Sequence, residues 1–171
     1  MTLLAAAAAA FTFATPAMAQ DATAPAGLRV EALVGWDRPG IDGFHANGIL
    51  VGFGAGYDLA VGNSVSLGID GEISDSSAKR SGVSTGRDLY AGGRVNFAMS
   101  PKANLYIKGG YTNARVKVSG VGAANGDGFR AGAGGQWIVS GKTYVGAEYR
   151  YSNYEGGFDR HQVALTVGTR F

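Results

Sequence analysis

Six basic and six acidic residues recur at alternate positions within short segments of this chain: Arg29, Arg94, Lys108, Arg130, Arg150 and Arg170, with Glu31, Asp58, Asp70, Glu72, Asp88 and Glu148. The chemistry open to such a set is narrow. Lining water, these groups would make an ion pathway or a selectivity ring. Facing one another in a dry space, they would pair, because a buried charge survives only with a partner. Equal counts of the two signs favour pairing. The expected cluster is Glu72, Arg94, Lys108, Glu148 and Arg150, a lumen charge network with the first three on neighbouring strands and the last two reaching across.

Other chemistries find less support. Hydrolysis or acyl transfer needs a nucleophile within reach of a base. Ser152 and His161 are the candidates, but alternation points Ser152 inward and His161 outward, so they should not meet. The position two after His161 is Val163, not Ser, and His45 has Asp42 nearby but no nucleophile. Residues 135–143 end in Gly141-Lys142-Thr143 like a phosphate-binding loop. Their five-residue spacer, with Trp137, Ile138 and Val139, reads instead as a strand and a turn. Gly52, Gly54 and Gly56 lie mid-strand with no helix after them, where they would make room for bulky neighbours. Residues 37–43 and 125–128 lack the full calcium-loop pattern. No catalytic, cofactor or metal site is expected.

The elements that must position the charges are strands. Eight segments alternate apolar with small, polar or charged residues: 28–36, 49–59, 65–73, 88–97, 105–112, 129–137, 145–152 and 163–171. Such alternation marks a strand with two different environments. In the last segment Val163, Leu165, Val167, Thr169 and Phe171 oppose Ala164, Thr166, Gly168 and Arg170. Leu33 is the exception in the polar stripe of the first. Three connections are short and turn-like, at 60–63, 99–103 and 140–142, while four are longer, at 38–47, 75–86, 117–127 and 155–159. Eleven-residue strands tilted near 40° reach a height of roughly 28 Å, enough to cross a bilayer. The expected fold is all-β: an eight-stranded antiparallel up-and-down transmembrane β-barrel.

Volume decides which face meets lipid. An eight-stranded barrel is just wide enough inside to hold side chains. The apolar stripe includes Trp36, Phe53, Tyr57, Phe97, Tyr111, Phe129, Trp137, Tyr149, Tyr151 and Phe171. It would overfill that space, whereas the glycine-rich polar stripe fits. A secreted ligand-binding barrel with its apolar face inward is thereby disfavoured. The aromatic residues also fall into two groups. Tyr57, Phe97, Trp137 and Phe171 lie toward one rim, and Trp36, Tyr111, Phe129, Tyr149 and Tyr151 toward the other, as girdles at two membrane interfaces would.

Residues 1–13 are uncharged and apolar, Pro16 follows, and Ala17-Met18-Ala19 offers a small-x-small cleavage site. This reads as a signal peptide over residues 1–19. A short N-terminal tail over 20–26 and a barrel domain over 27–171 are expected to follow. The 171 residues include 29 Gly and no Cys, which excludes a disulfide scaffold and thiolate metal sites. A net charge of +2 is too small to imply nucleic acid.

The strings DLYAGGRVNF (88–97), NLYIKGGYTNARV (104–116) and AEYRYSNYE (147–155) resemble the opacity-type outer-membrane β-barrel proteins, often called the porin family. The resemblance runs from about Gly27 to Phe171. It implies an eight-stranded OmpA-like barrel in a Gram-negative cell outer membrane, exported through the periplasm. The expected role is that of a surface protein: structural, adhesive or concerned with membrane integrity, with a closed salt-bridged lumen and no enzyme activity. A small diffusion pore is the alternative, and a lipid-modifying barrel enzyme a remote one. Partners implied are outer-membrane lipid and lipopolysaccharide, and the outer-membrane insertion machinery reading the C-terminal Phe171. Lys79, Arg80, Arg87, Arg115 and Lys117, in or near the longer loops, could meet lipopolysaccharide phosphates.

Overall fold

The computed structural model describes residues 23–41, 44–80, 83–118 and 122–171. The expected signal peptide and the start of the tail lie outside the described residues. Eight long strands follow in sequence: β1 (Gly27–Ile41), β2 (Gly48–Ala60), β3 (Val65–Ser76), β4 (Val83–Ser100), β5 (Ala103–Val118), β6 (Gly122–Ser140), β7 (Thr143–Tyr154) and β8 (Phe158–Arg170). Each pairs antiparallel with the next, and β8 pairs back onto β1, so the sheet closes. Val34 faces Leu165 across that seam, and Phe171 N–H donates to Leu28 C=O at 2.8 Å. Closure leaves no strand edge through the spanning region, as a sheet in lipid requires.

Burial is inverted relative to a water-soluble domain. Phe53 is 69% and Ile69 70% exposed, while Arg130 and Arg160 are 0%. Only lipid makes such an exterior favourable. Two girdles bound the aliphatic belt. Tyr111 faces Phe129 directly, with Tyr149 and Tyr151 on neighbouring β7. At the opposite rim Tyr57, Trp137 and Phe171 project outward. Leu33, the exception in the polar stripe, points inward and packs with Leu50 and Ala164 as a small apolar cluster on the wall.

The outer connections are shorter than the sequence suggested. Residues expected in loops at 38–47, 75–86 and 117–127 are largely strand: β1 runs to Ile41, β4 starts at Val83, and β5 and β6 meet as Val118 opposite Gly122. Two-residue strands, Phe44–His45 and Lys79–Arg80, pair with the ends of β1 and β4. The physical reason is simple. Backbone ladders continue above the lipid, where the outward face meets water instead of hydrocarbon, so apolar alternation stops before the strand does. Arg38, Arg87, Arg115, Asn125 and Asp127 are exposed in these extensions. Turns at the other rim are tight. Gly141, at φ 52°, takes the left-handed conformation that the β6–β7 turn needs.

Glycine makes the interior possible. A Cβ on Gly134 would lie 2.6 Å from the Tyr106 hydroxyl, and one on Gly168 would lie 2.5 Å from the Tyr144 ring. Both tyrosines are inward and 2% exposed, so glycine on the neighbouring wall lets a bulky ring lie flat across the lumen.

Candidate functional site

Seven basic residues meet seven acidic ones inside the barrel: Arg29, Arg94, Lys108, Arg130, Arg150, Arg160 and Arg170 face Glu31, Asp37, Asp58, Asp70, Glu72, Asp88 and Glu148. The alternation of each strand delivers them there, because every second side chain must enter the lumen.

The middle tier centres on Glu72 of β3. Its carboxylate accepts from Arg150 Nη1 of β7 at 2.6 and 2.7 Å. Lys108 Nζ of β5 lies 3.6 Å from Glu72 and 2.8 Å from Glu148 Oε1. Arg150 Nε donates to Gln162 Oε1 at 2.8 Å, and Tyr106 O–H donates to Glu148 Oε2 at 2.7 Å. Four of the five expected residues, Glu72, Lys108, Glu148 and Arg150, are therefore in mutual ion-pairing distance.

Arg94 is not in that group. Its Nε donates to Asp70 Oδ2 at 3.0 Å, and Nη2 lies 3.7 Å from Glu31. Register explains the departure: Glu72 stands opposite Tyr90 on β4, whereas Arg94 stands opposite Gly68. Four residues along β3 separate the two levels, about 13 Å. Arg94 approaches the middle tier through Tyr106, whose ring centre is 3.9 Å from its guanidinium carbon.

The lower tier joins Arg94 to the turn end. Arg29 Nε donates to Asp58 at 3.1 Å, and its Nη2 pairs with Asp70. Arg170 Nη1 also donates to Asp58, at 2.7 Å, and Tyr144 O–H donates to Glu31 at 2.9 Å. The upper tier holds Arg130, Arg160, Asp88 and Asp37. Arg160 donates to Asp37 at 2.7 and 3.1 Å and to Asp88 at 2.9 Å, while Arg130 Nη2 donates to Asp88 at 2.5 Å. Sequence reasoning missed Asp37 and Arg160 because it ended the first strand at Trp36 and began the last at Val163. The signal was present: Asp37 shares the parity of Arg29 and Glu31, and Arg160 that of Ala164 and Thr166.

Of the residues weighed for catalysis, Ser152 is fully buried and accepts from Arg130 Nε at 2.9 Å. His161 lies on the outside, its Nδ1 2.7 Å from the Tyr149 hydroxyl and its Nε2 3.5 Å from Asp159. The barrel wall separates Ser152 from His161. Among the described residues no group of three or more His, Asp or Glu is placed to hold a metal ion. Above the outer girdle, Tyr111 O–H and Asn113 Nδ2 both donate to Asp127 Oδ1, at 2.5 and 2.6 Å. These two bonds, the tyrosine's first, hold the Asp127 carboxyl below its ordinary value.

A closed eight-stranded antiparallel barrel, apolar outside and charged inside, defines an outer-membrane β-barrel protein. The chain belongs to the outer membrane protein beta-barrel domain family, which matches residues 5–171. Solved structures share the fold. Neisserial surface protein A (NspA) is 17% identical, with a TM-score of 0.65 over 85% of this chain and 97% of that one. Ail, the attachment invasion locus protein of Yersinia pestis, is 17% identical, with a TM-score of 0.61 over 85% and 99%. The outer membrane enzyme PagL is 15% identical, with a TM-score of 0.51 over 84% and 99%. No curated protein matches the chain in sequence.

Proposed function

We propose that this protein is a non-enzymatic barrel of the outer-membrane surface, with a structural, adhesive or membrane-integrity role and a lumen held shut by its own charges. The observation that carries the reading is the Glu72–Arg150 pair. It joins β3 to β7, four strands apart in an eight-stranded ring, and so crosses the lumen. Arg160 of β8 and Asp88 of β4 make a second such crossing at 2.9 Å. Fixed charges paired in this way offer a passing ion no free partner and no open path. The names of two fold neighbours, a surface protein and an attachment invasion locus protein, are in keeping with a surface role. The fold also serves an enzyme, so the non-enzymatic reading rests on the site. The Ser152 hydroxyl is held by Arg130, and the outward His161 is bonded to Tyr149 rather than to a serine.

The reading includes export by a signal peptide ending at Ala19 and recognition of the C-terminal Phe171 by the outer-membrane insertion machinery. It also includes contact of Arg87 and Arg115 with lipopolysaccharide phosphates at the outer leaflet. The deciding experiment is a planar-bilayer conductance trace of the refolded protein. A flat trace is expected, with a small leak in Glu72→Ala. A large, steady conductance in the unaltered protein would overturn the closed lumen and establish the diffusion pore in its place.

A further inference from the structure

The rim with tight turns, periplasmic in barrels of this class, carries a second polar site. Gln136 of β6 is 4% exposed there. Its Oε1 accepts from Asn104 Nδ2 and Arg170 Nη2, each at 3.3 Å. Two donors on one atom fix the orientation of the amide. The other end, Nε2, is buried without an acceptor. Gln136 borders a cavity of about 80 Å³ whose walls also include Asn104, Tyr144, Arg170, Lys102 and Thr23.

Pro25, Ala98, Pro101, Ala103 and Ile138 make much of the wall apolar, and a few donors stand among them. The Tyr144 hydroxyl is spent on Glu31, and Ser100 Oγ already accepts from the backbone N–H of Lys102 and Ala103. Arg170 shares its carboxylate partner, Asp58, with Arg29. Lys102 sits exposed in the β4–β5 turn, and Lys142 lies over the Phe171 ring, 5.9 Å from its centre. Among the described residues the exposed acidic side chains, Asp75, Asp127 and Glu155, are at the opposite rim; at this rim the α-carboxylate of Phe171 follows Arg170 directly. The tail forms the remaining wall. Ala24 is buried and its N–H donates to Asn63 C=O at 2.8 Å, which draws Thr23 and Pro25 across the mouth.

We propose that this mouth binds a phosphate group, free or at the head of an inner-leaflet phospholipid. The cavity has room for one such group or a few waters. Gln136 Nε2 supplies a buried donor of fixed direction, while Arg170 and Lys102 supply charge, the combination that strengthens a hydrogen bond to an anion. The site also lies level with the lower girdle of Trp137 and Phe171, where inner-leaflet headgroups run.

The test uses the full chain, labelled with ¹⁵N at Gln and Asn and refolded in an amine-oxide detergent free of phosphate. Inorganic phosphate, short-chain phosphatidylglycerol and chloride at matched ionic strength are titrated separately. Saturable shifts of the Gln136 and Asn104 side-chain amides are expected with phosphate, phosphatidylglycerol or both, and not with chloride. Response to phosphate assigns a free anion, and response to phosphatidylglycerol alone assigns the lipid. Gln136→Met, read at Asn104, and Lys102→Ala, in an exposed turn, should each weaken binding at least ten-fold. Arg115→Ala, at the far rim, should leave it unchanged. Equal shifts with chloride, no shift with either phosphate source, or unchanged affinity in both Gln136→Met and Lys102→Ala would overturn the site.

Discussion

Glu72 and Arg150, 78 residues apart in the chain, meet across the lumen with Oε2 and Nη1 2.6 Å apart. The pair fastens one wall to the wall facing it, which the backbone ladder cannot do. Removing Glu72 would leave Arg150 and Lys108 with Glu148 as their one remaining shared carboxylate, two cations on one anion in a space closed to bulk water. Glu72→Ala should therefore cost about 3–5 kcal/mol. Urea titration of reversible folding into vesicles measures it. A double-mutant cycle with Arg150→Met should return a coupling of roughly 0.5–3 kcal/mol; a coupling of zero would mean that the pair is merely adjacent.

The same charge placed on the outside should be penalised by depth. Ile69, 70% exposed on the lipid belt, becomes costly as arginine, about 2–4 kcal/mol near the midplane. Asn125→Arg, on the water-exposed extension of β6, should change stability by less than about 0.5 kcal/mol. Equal penalties at the two positions in the vesicle assay would contradict the assignment of faces.

Lumen packing gives a third expectation. Gly134→Ala would push a methyl group against the Tyr106 hydroxyl and the Ala147 carbonyl, both 2.6 Å from the added carbon. Overpacking of this kind costs about 1–3 kcal/mol. Gly62→Ala, in a turn where a Cβ would have open space, serves as the reference and should be near neutral in the same urea titration.

Asp127 supplies the pH dependence. Its carboxyl is held below the ordinary value by bonds from Tyr111 and then Asn113. Its contribution to stability is thus present above the unfolded carboxyl's pKa and is lost as pH falls through the folded one. Tyr111→Phe should move the Asp127 titration upward, toward the unfolded value, in a ¹³C NMR titration of its side-chain carboxyl. An unmoved titration would show that the tyrosine does not set it.

Much of this barrel was legible in the sequence because lipid and lumen impose opposite demands on successive residues. Val163 to Phe171 could be read with both faces assigned, and so could Glu72, Lys108, Glu148 and Arg150. Two kinds of information were out of reach. Strand ends such as Ile41, Val83 and Gly122 lie beyond the lipid belt, where an outward position no longer calls for an apolar residue, so the pattern fades while the ladder goes on. Register was also hidden. Parity says that Arg94 points inward, but only the Arg94–Gly68 alignment sets it a tier below Glu72. Asp37 and Arg160 were lost to the first cause, Arg94 to the second.

The seam between β8 and β1 has a consequence for how the barrel is made. Asp37 near the outer end of β1 finds Arg160 and Gln162 on β8, and Arg29 near its start shares Asp58 with Arg170. Until the last strand arrives, Asp37 lacks these partners and Asp58 lacks one of its two cations. An incomplete sheet therefore keeps a hydrated, charged flank that lipid will not accept. The final strand satisfies the ladder and this electrostatic debt in one event. The charges thus tie closure of the cylinder to the meeting of its first and last strands.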